Sequence, residues 1–152
     1  MEIIFNNKYK CEDRIGKRRF SYIYKVLDFE TKKYYALKFF PFVKNNEIKI
    51  FKGQCEREIE VVKYIKNKYI IELKDYFFDE KQKGYCIVME LYDCNLRDIL
   101  NKYQPNGLPI NIIKKIFTQL NEALKIMVEK NYYHRDLKPE NILIKYLYIN
   151  LI

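Results

Sequence analysis

Between Pro109 and Asn131 the apolar residues Ile112, Ile116, Leu120, Leu124 and Met127 recur every three or four positions. Only a helix brings that spacing onto one face, so the segment predicts a long helix over residues 110–131 with a buried stripe. Pro109 suits its start, where a missing N–H costs nothing. The front of the chain keeps a different period. Phe20, Tyr22, Tyr24 and Val26 fall on one parity, as on a half-buried strand. A strand-forming front and a helix-forming back cannot share one layer, and the pattern predicts an α+β chain.

The order of elements follows from the same reading. Residues from Tyr9 to Phe40 predict three antiparallel strands, with a turn from Asp28 to Lys33 and an end at Pro41. Residues 1–8 are read as a lead-in. Over 54–66 the period changes, with Ile59, Val62, Tyr64 and Ile65 at helical spacing and Glu56 and Glu60 ahead of Lys63. Strands return over 71–78 and 85–91, separated by the polar turn 79–84. A short helix over 95–103 closes at Pro105-Asn-Gly107. The prediction is a small five-stranded antiparallel sheet with one helix, then a helical part.

Composition narrows the function classes. With 49% hydrophobic and 32% charged residues the chain is globular in character. No run approaches eighteen apolar residues, so no membrane span is predicted. The N-terminus MEIIFNNKYK does not read as a secretory signal, which makes an intracellular location, cytoplasmic or nuclear, the expectation. Cys11, Cys55, Cys86 and Cys94 form no C-x-x-C pair and His134 is the only histidine, so no zinc site is expected. The net charge of +9 is spread along the chain among acids and accompanied by no nucleic-acid signature. One basic run, Arg14-Ile-Gly-Lys-Arg-Arg19, is local.

Chemistry concentrates in Tyr133-His-Arg-Asp-Leu-Lys-Pro-Glu-Asn-Ile-Leu-Ile144. A carboxylate can orient an attacking hydroxyl and take its proton, and an amide five residues later can reach a metal held by phosphates. This stretch resembles the catalytic loop of the protein kinase family, H-R-D-L-x-x-x-N, at His134, Arg135, Asp136, Leu137 and Asn141. The resemblance implies that Asp136 is the catalytic base and that Asn141 is a magnesium ligand. Lys138, in the Lys-Pro-Glu-Asn form typical of serine/threonine kinases, would stabilise the transferring phosphoryl group. The expected cofactors are ATP and Mg2+, and the expected partner is a protein with a serine or threonine hydroxyl.

Upstream positions fit the same resemblance. Tyr35-Ala-Leu-Lys38 is similar to the V-A-I-K strand, which makes Lys38 the phosphate-pairing lysine. Glu58 in Arg57-Glu-Ile59 would be its ion-pair partner, with Glu56 and Glu60 as competitors. Val88-Met-Glu-Leu91 resembles the hinge, with Met89 as gatekeeper and the backbones of Glu90 and Tyr92 on adenine. Asn95 would meet ribose. Ile15, Ile23, Ala36 and Leu143 would wall the base, with Ile23 preferred to Val26. The implied division is an N-lobe over 1–89, a hinge over 90–94 and part of a C-lobe over 95–152.

Two departures matter. The glycine-rich pattern G-x-G-x-x-G stands here as Gly16-Lys-Arg18-Arg-Phe-Ser21, so Arg18 and Ser21 occupy two glycine positions. Backbone N–H groups there are less free to close over phosphates, and weaker nucleotide binding is expected. In the family, Asp-Phe-Gly follows the loop asparagine after about a dozen residues and its Asp holds magnesium. No acid follows Glu140 in this sequence, so an incomplete kinase domain is expected, inactive alone. A non-catalytic pseudokinase scaffold is the alternative, although Lys38, Glu58, Asp136 and Asn141 are all present. No motif names a subfamily, a substrate or a regulatory partner.

Overall fold

The structure is a computed structural model that describes residues 2–42 and 48–146. The chain divides into two compact units, Met1–Lys66 with Ile71–Leu91, and Asn67–Ile70 with Tyr92–Ile152.

The first unit is an antiparallel sheet carrying one long helix. Its strands are β1 (Ile4–Phe5), β2 (Tyr9–Lys17), β3 (Tyr22–Asp28), β4 (Tyr34–Pro41), β5 (Leu73–Asp79) and β6 (Gly84–Glu90), in the order β1-β2-β3-β4-β6-β5. The five expected strands are present, and β1 adds a sixth inside the segment read as a lead-in. Its cause is the pair Asn6-Asn7, at φ 48° and 52°, with Lys8 N–H donating to the Phe5 carbonyl at 3.0 Å. Two left-handed residues make the tight turn whose twist matches paired strands, and asparagine tolerates it well.

Pleating sorts β4 into two faces. Leu37 and Phe39 join Phe5, Tyr9, Val26, Cys86 and Val88 in one core cluster, against which Tyr22 and Tyr24 pack. The Tyr22, Tyr24, Val26 parity therefore points where expected; Phe20 lies in the turn beyond the strand and is exposed. Phe40 faces the other way, into a cluster with Cys55, Ile59 and Ile87 beneath α1 (Ile48–Tyr64). That helix begins six residues before the expected 54. Gly53 lies inside it with open space around its Cα, so it costs about 1 kcal/mol of propensity without breaking the helix. Lys63 ties α1 to β5, its Nζ donating to the Tyr76 hydroxyl at 2.8 Å and standing 3.9 Å from the ring centroid.

The sheet curls until its edges meet. The Tyr9 hydroxyl donates to Asp75 at 2.8 Å, Tyr9 stacks on Phe77, and Asn6 N–H donates to the buried Asp79 carboxylate at 2.6 Å. Burial and the Asp75 carboxylate both push the Tyr9 hydroxyl's pKa up. At the β5–β6 turn, a Cβ on Gly84 would collide with the Phe39 ring and lie 2.5 Å from the Phe40 carbonyl oxygen. The carbonyl is backbone and cannot rotate away. Gly84→Ala is expected to lower stability by about 1–3 kcal/mol, read as a fall in the urea midpoint at constant m-value.

The second unit holds β7 (Cys94–Asn95), α2 (Leu96–Lys102), α3 (Ile110–Glu129), a 3-10 turn (Pro139–Asn141) and β8 (Leu143–Ile144), with β7 and β8 paired antiparallel. Ile99, Ile112, Ile116 and Ile144 form its core. The buried stripe of α3 runs through Ile112, Ile116, Ala123 and Met127, while Leu120 and Leu124, expected on it, are half-buried. Ala123 takes their place because it lies a full two turns from Ile116. Asn131, at φ 60°, ends the helix: its N–H reaches the Val128 carbonyl and that of Tyr132 reaches Met127. The apolar run Tyr146-Leu-Tyr-Ile-Asn-Leu-Ile152 also reads as a terminal strand, and beyond Tyr146 it falls outside the described residues.

Candidate active site

In the first unit the cross-strand register places five of the singled-out residues on one sheet face. Gly16 stands opposite Ile23, Ile23 opposite Lys38, and Lys38 opposite Ile87. In the adjacent row Ala36 stands opposite Met89. Directly paired residues share a face, so Gly16, Ile23, Ala36, Lys38 and Met89 lie together on the side that α1 covers. Val26 lies on the opposite face, in the core. Ile15 occupies an irregularity of β2 between Arg14 and Gly16 and is half exposed.

Lys38 Nζ donates to both Glu58 carboxylate oxygens, at 2.6 and 2.7 Å. Helical spacing explains why Glu58 is the partner. Cys55, Glu58 and Ile59 share a stripe, and Cys55 and Ile59 are buried against the sheet. Glu56 and Glu60 lie off that stripe, and Glu56 faces Lys52 at 3.8 Å. Close by, burial holds the Cys55 thiol up at about 12, so it stays protonated and unreactive. At the end of β6, Glu90 N–H donates to the Glu72 carbonyl at 3.2 Å.

The second unit builds its own cluster. Past the end of α3, Arg135 takes φ 60°, at the centre of a turn in which Asp136 N–H donates to the His134 carbonyl at 2.8 Å. A non-glycine residue there stores about 1–3 kcal/mol, a cost that clusters at functional sites. Lys138 Nζ donates to the two Asp136 oxygens at 2.9 and 2.8 Å. Asn141 Nδ2 donates to the Asp136 carbonyl and carboxylate, at 2.9 and 2.8 Å. This fixes the amide so that its Oδ1 turns away from Asp136.

These hydrogen bonds, from Lys138 first and then Asn141, hold the Asp136 carboxyl below the ordinary aspartate value. Asp136 is therefore ionised at neutral pH, and its pairing is lost only as pH falls through its lowered pKa. An NMR titration is expected to place its midpoint below 3.8 and to move it up in Lys138→Met. An unchanged midpoint would remove Lys138 as the cause.

The surrounding contacts hold the loop in place. Arg97 Nε donates to Glu140 at 2.9 Å, joining α2 to the 3-10 turn; sequence reasoning did not single out either residue. The signal lies in the fold rather than the spacing, since the two stand 43 positions apart. Asn95 caps α2, its side-chain oxygen accepting from Asp98 N–H while Asp98 accepts from Asn95 N–H, both at 3.1 Å. Its side-chain oxygen is thus engaged in the cap, while its Nδ2 carries two further donors. Leu143 pairs with Asn95 across β7–β8 and is exposed, and Lys145 Nζ stands 5.8 Å from the Tyr92 ring centroid.

A family profile described as the protein kinase domain matches residues 9–151. The chain belongs to the eukaryotic-type serine/threonine protein kinase family. It is 30% identical over 145 residues to the serine/threonine-protein kinase ppk15 of Schizosaccharomyces pombe, covering 91% of this chain and 26% of that protein. It is 32% identical over 155 residues to the probable serine/threonine-protein kinase yakA of Dictyostelium discoideum, covering 95% and 10%. A crystal structure of a kinase domain superposes with a TM-score of 0.82 at 26% identity, covering 94% of this chain and 41% of that one. The kinase fold expected from the sequence is thereby shown. The chain spans about a quarter or less of the length of these curated relatives.

Proposed function

We propose that these residues belong to an ATP-dependent kinase that transfers the γ-phosphoryl group to a serine or threonine hydroxyl of a protein. The observation that carries this reading is the Asp136 cluster: an ionised carboxylate held by Lys138 and Asn141 on a strained loop. In it Asp136 orients the hydroxyl and accepts its proton, and Lys138 neutralises charge on the transferring group. Lys38, aligned by Glu58, holds the α- and β-phosphates. Ile15, Ile23, Ala36, Met89 and Leu143 wall the adenine, the backbones of Glu90 and Tyr92 bind its edge, and Asn95 donates to ribose.

Magnesium fits this chemistry. It takes hard oxygen ligands and keeps few protein contacts, and Asn141 Oδ1 is an oxygen turned away from Asp136. When bound, the ion neutralises the β- and γ-phosphates. The protein substrate, the intracellular location and the division at 1–89, 90–94 and 95–152 belong to the same proposal. The alternative, a non-catalytic nucleotide-binding scaffold, draws its support from Arg18 and Ser21 at glycine positions.

Calorimetric titration with ATP and magnesium tests the binding half. Weak binding is expected, lowered about tenfold by Lys38→Ala through loss of charge-assisted contacts. Equal binding by the two proteins would take Lys38 out of the phosphate site.

A further inference from the structure

The tip of the β2–β3 hairpin carries Arg14, Lys17, Arg18 and Arg19, four cations within six residues and all exposed. Among the described residues none of the four makes an ion pair with a carboxylate, whereas the nearby Lys10 is held by Glu2 at 2.6 Å. Unneutralised like charges so close together repel one another and attract an external polyanion.

The geometry gives these charges fixed positions. Arg18 N–H donates to the Ser21 carbonyl at 2.8 Å, and Ser21 is buried, so the turn closes on itself. The Arg14 guanidinium stands 5.8 Å from the Tyr22 ring centroid and that of Arg19 stands 4.9 Å from Phe20. Arg14 pairs with Tyr24 and Lys17 with Tyr22 across the strands, on the face opposite the row Gly16, Ile23, Lys38. Arg14 and Lys17 thus sit on the side away from the residues assigned to the nucleotide.

We propose that this tip is a docking surface for an acidic protein segment, recognised through several aspartate or glutamate side chains. Guanidinium groups suit carboxylates because their planar fork donates two hydrogen bonds at once. The surface goes beyond the nucleotide reading and does not depend on it.

Fluorescence anisotropy with a labelled Glu-rich peptide, and with the same peptide carrying Gln for Glu, tests this on the whole chain. The acidic peptide binds and the Gln peptide does not, and binding weakens steeply as salt shortens the screening length. Replacing Arg14, Lys17, Arg18 and Arg19 by Gln weakens binding about tenfold, as expected for several exposed charge contacts. A charge-matched variant with Gln at Lys114, Lys115 and Lys125 on α3 and at its C-cap Lys130, all in the second compact unit, stays within about twofold. Should the quadruple tip variant fail to fold, the Arg18→Gln/Arg19→Gln pair on the exposed turn carries the test, with an expected loss of about threefold. Equal losses in the tip and α3 variants would mean general charge attraction and overturn the proposal. So would equal binding of the two peptides, no binding of either, or displacement by magnesium-ATP, which would make the tip a phosphate site.

Discussion

These 152 residues by themselves are expected to transfer no phosphate to a basic protein such as histone or myelin basic protein. Joined to a kinase lobe bearing Asp-Phe-Gly, they are expected to transfer it readily. The reason is an inventory of charges. In the proposed reading Asp136 is the base, Lys138 and Lys38 are the cations, and Asn141 brings one oxygen to the metal. Residues 141–152 contain no Asp or Glu, so these 152 residues bring no second, anionic ligand to magnesium in the proposed reading. Phosphoryl transfer depends on positioning and charge stabilisation, so the absent ligand removes a principal contribution. In the joined protein Asp136→Asn should lower kcat about a thousandfold or more while leaving ATP affinity within about twofold. Transfer by the 152 residues alone, abolished by Asp136→Asn, would show that the metal is held elsewhere. Inactivity of the joined protein with intact ATP binding would favour the scaffold reading.

The second large effect is on stability. Phe5→Ala is expected to destabilise the first unit by about 3–5 kcal/mol, enough to unfold many small domains at 37 °C. Phe5 is 1% exposed and its ring lies 5.7 Å from Tyr24 and 5.3 Å from Phe39, so truncation opens a cavity in the main core cluster. The neighbouring Asn6–Asp79 hydrogen bond shares the same short hairpin. Asp79→Ala should therefore couple with Phe5→Ala, the double variant losing less than the sum of the singles. Thermal melts of the four proteins measure this. A Phe5→Ala melt within a degree or two of the parent would mean that β1 is only an ornament on the sheet.

Phe5 also marks a limit of reading the chain as a string. Ile4 and Phe5 are too few to show a period, and the weight of the Asn6-Asn7 turn becomes visible only when Asp79, far along the chain, accepts its N–H. The start of α1 escaped for a related reason. Gly53 reads locally as a break, and only packing of Cys55 and Ile59 on the sheet outweighs its propensity.

What the sequence determined by itself is what rests on short-range spacing. Alternation set the strands from Tyr22 to Phe40, the three-and-four spacing set α3, and five loop positions, by resemblance, marked Asp136 and Asn141 as candidates for chemistry. Glu58 stood out among three glutamates by its Arg-Glu-Ile context, but it is the helix stripe through Cys55 and Ile59 that turns it toward Lys38. Tertiary structure alone decided other pairs that join distant residues: Arg97 with Glu140, Tyr9 with Asp75, and the row Gly16, Ile23, Lys38. It also gave the Lys38–Glu58 pair implied by the resemblance its 2.6 Å geometry. Local conformational preference acts over a few residues, whereas these contacts form only once burial of a shared core has fixed the register of strands and the roll of a helix.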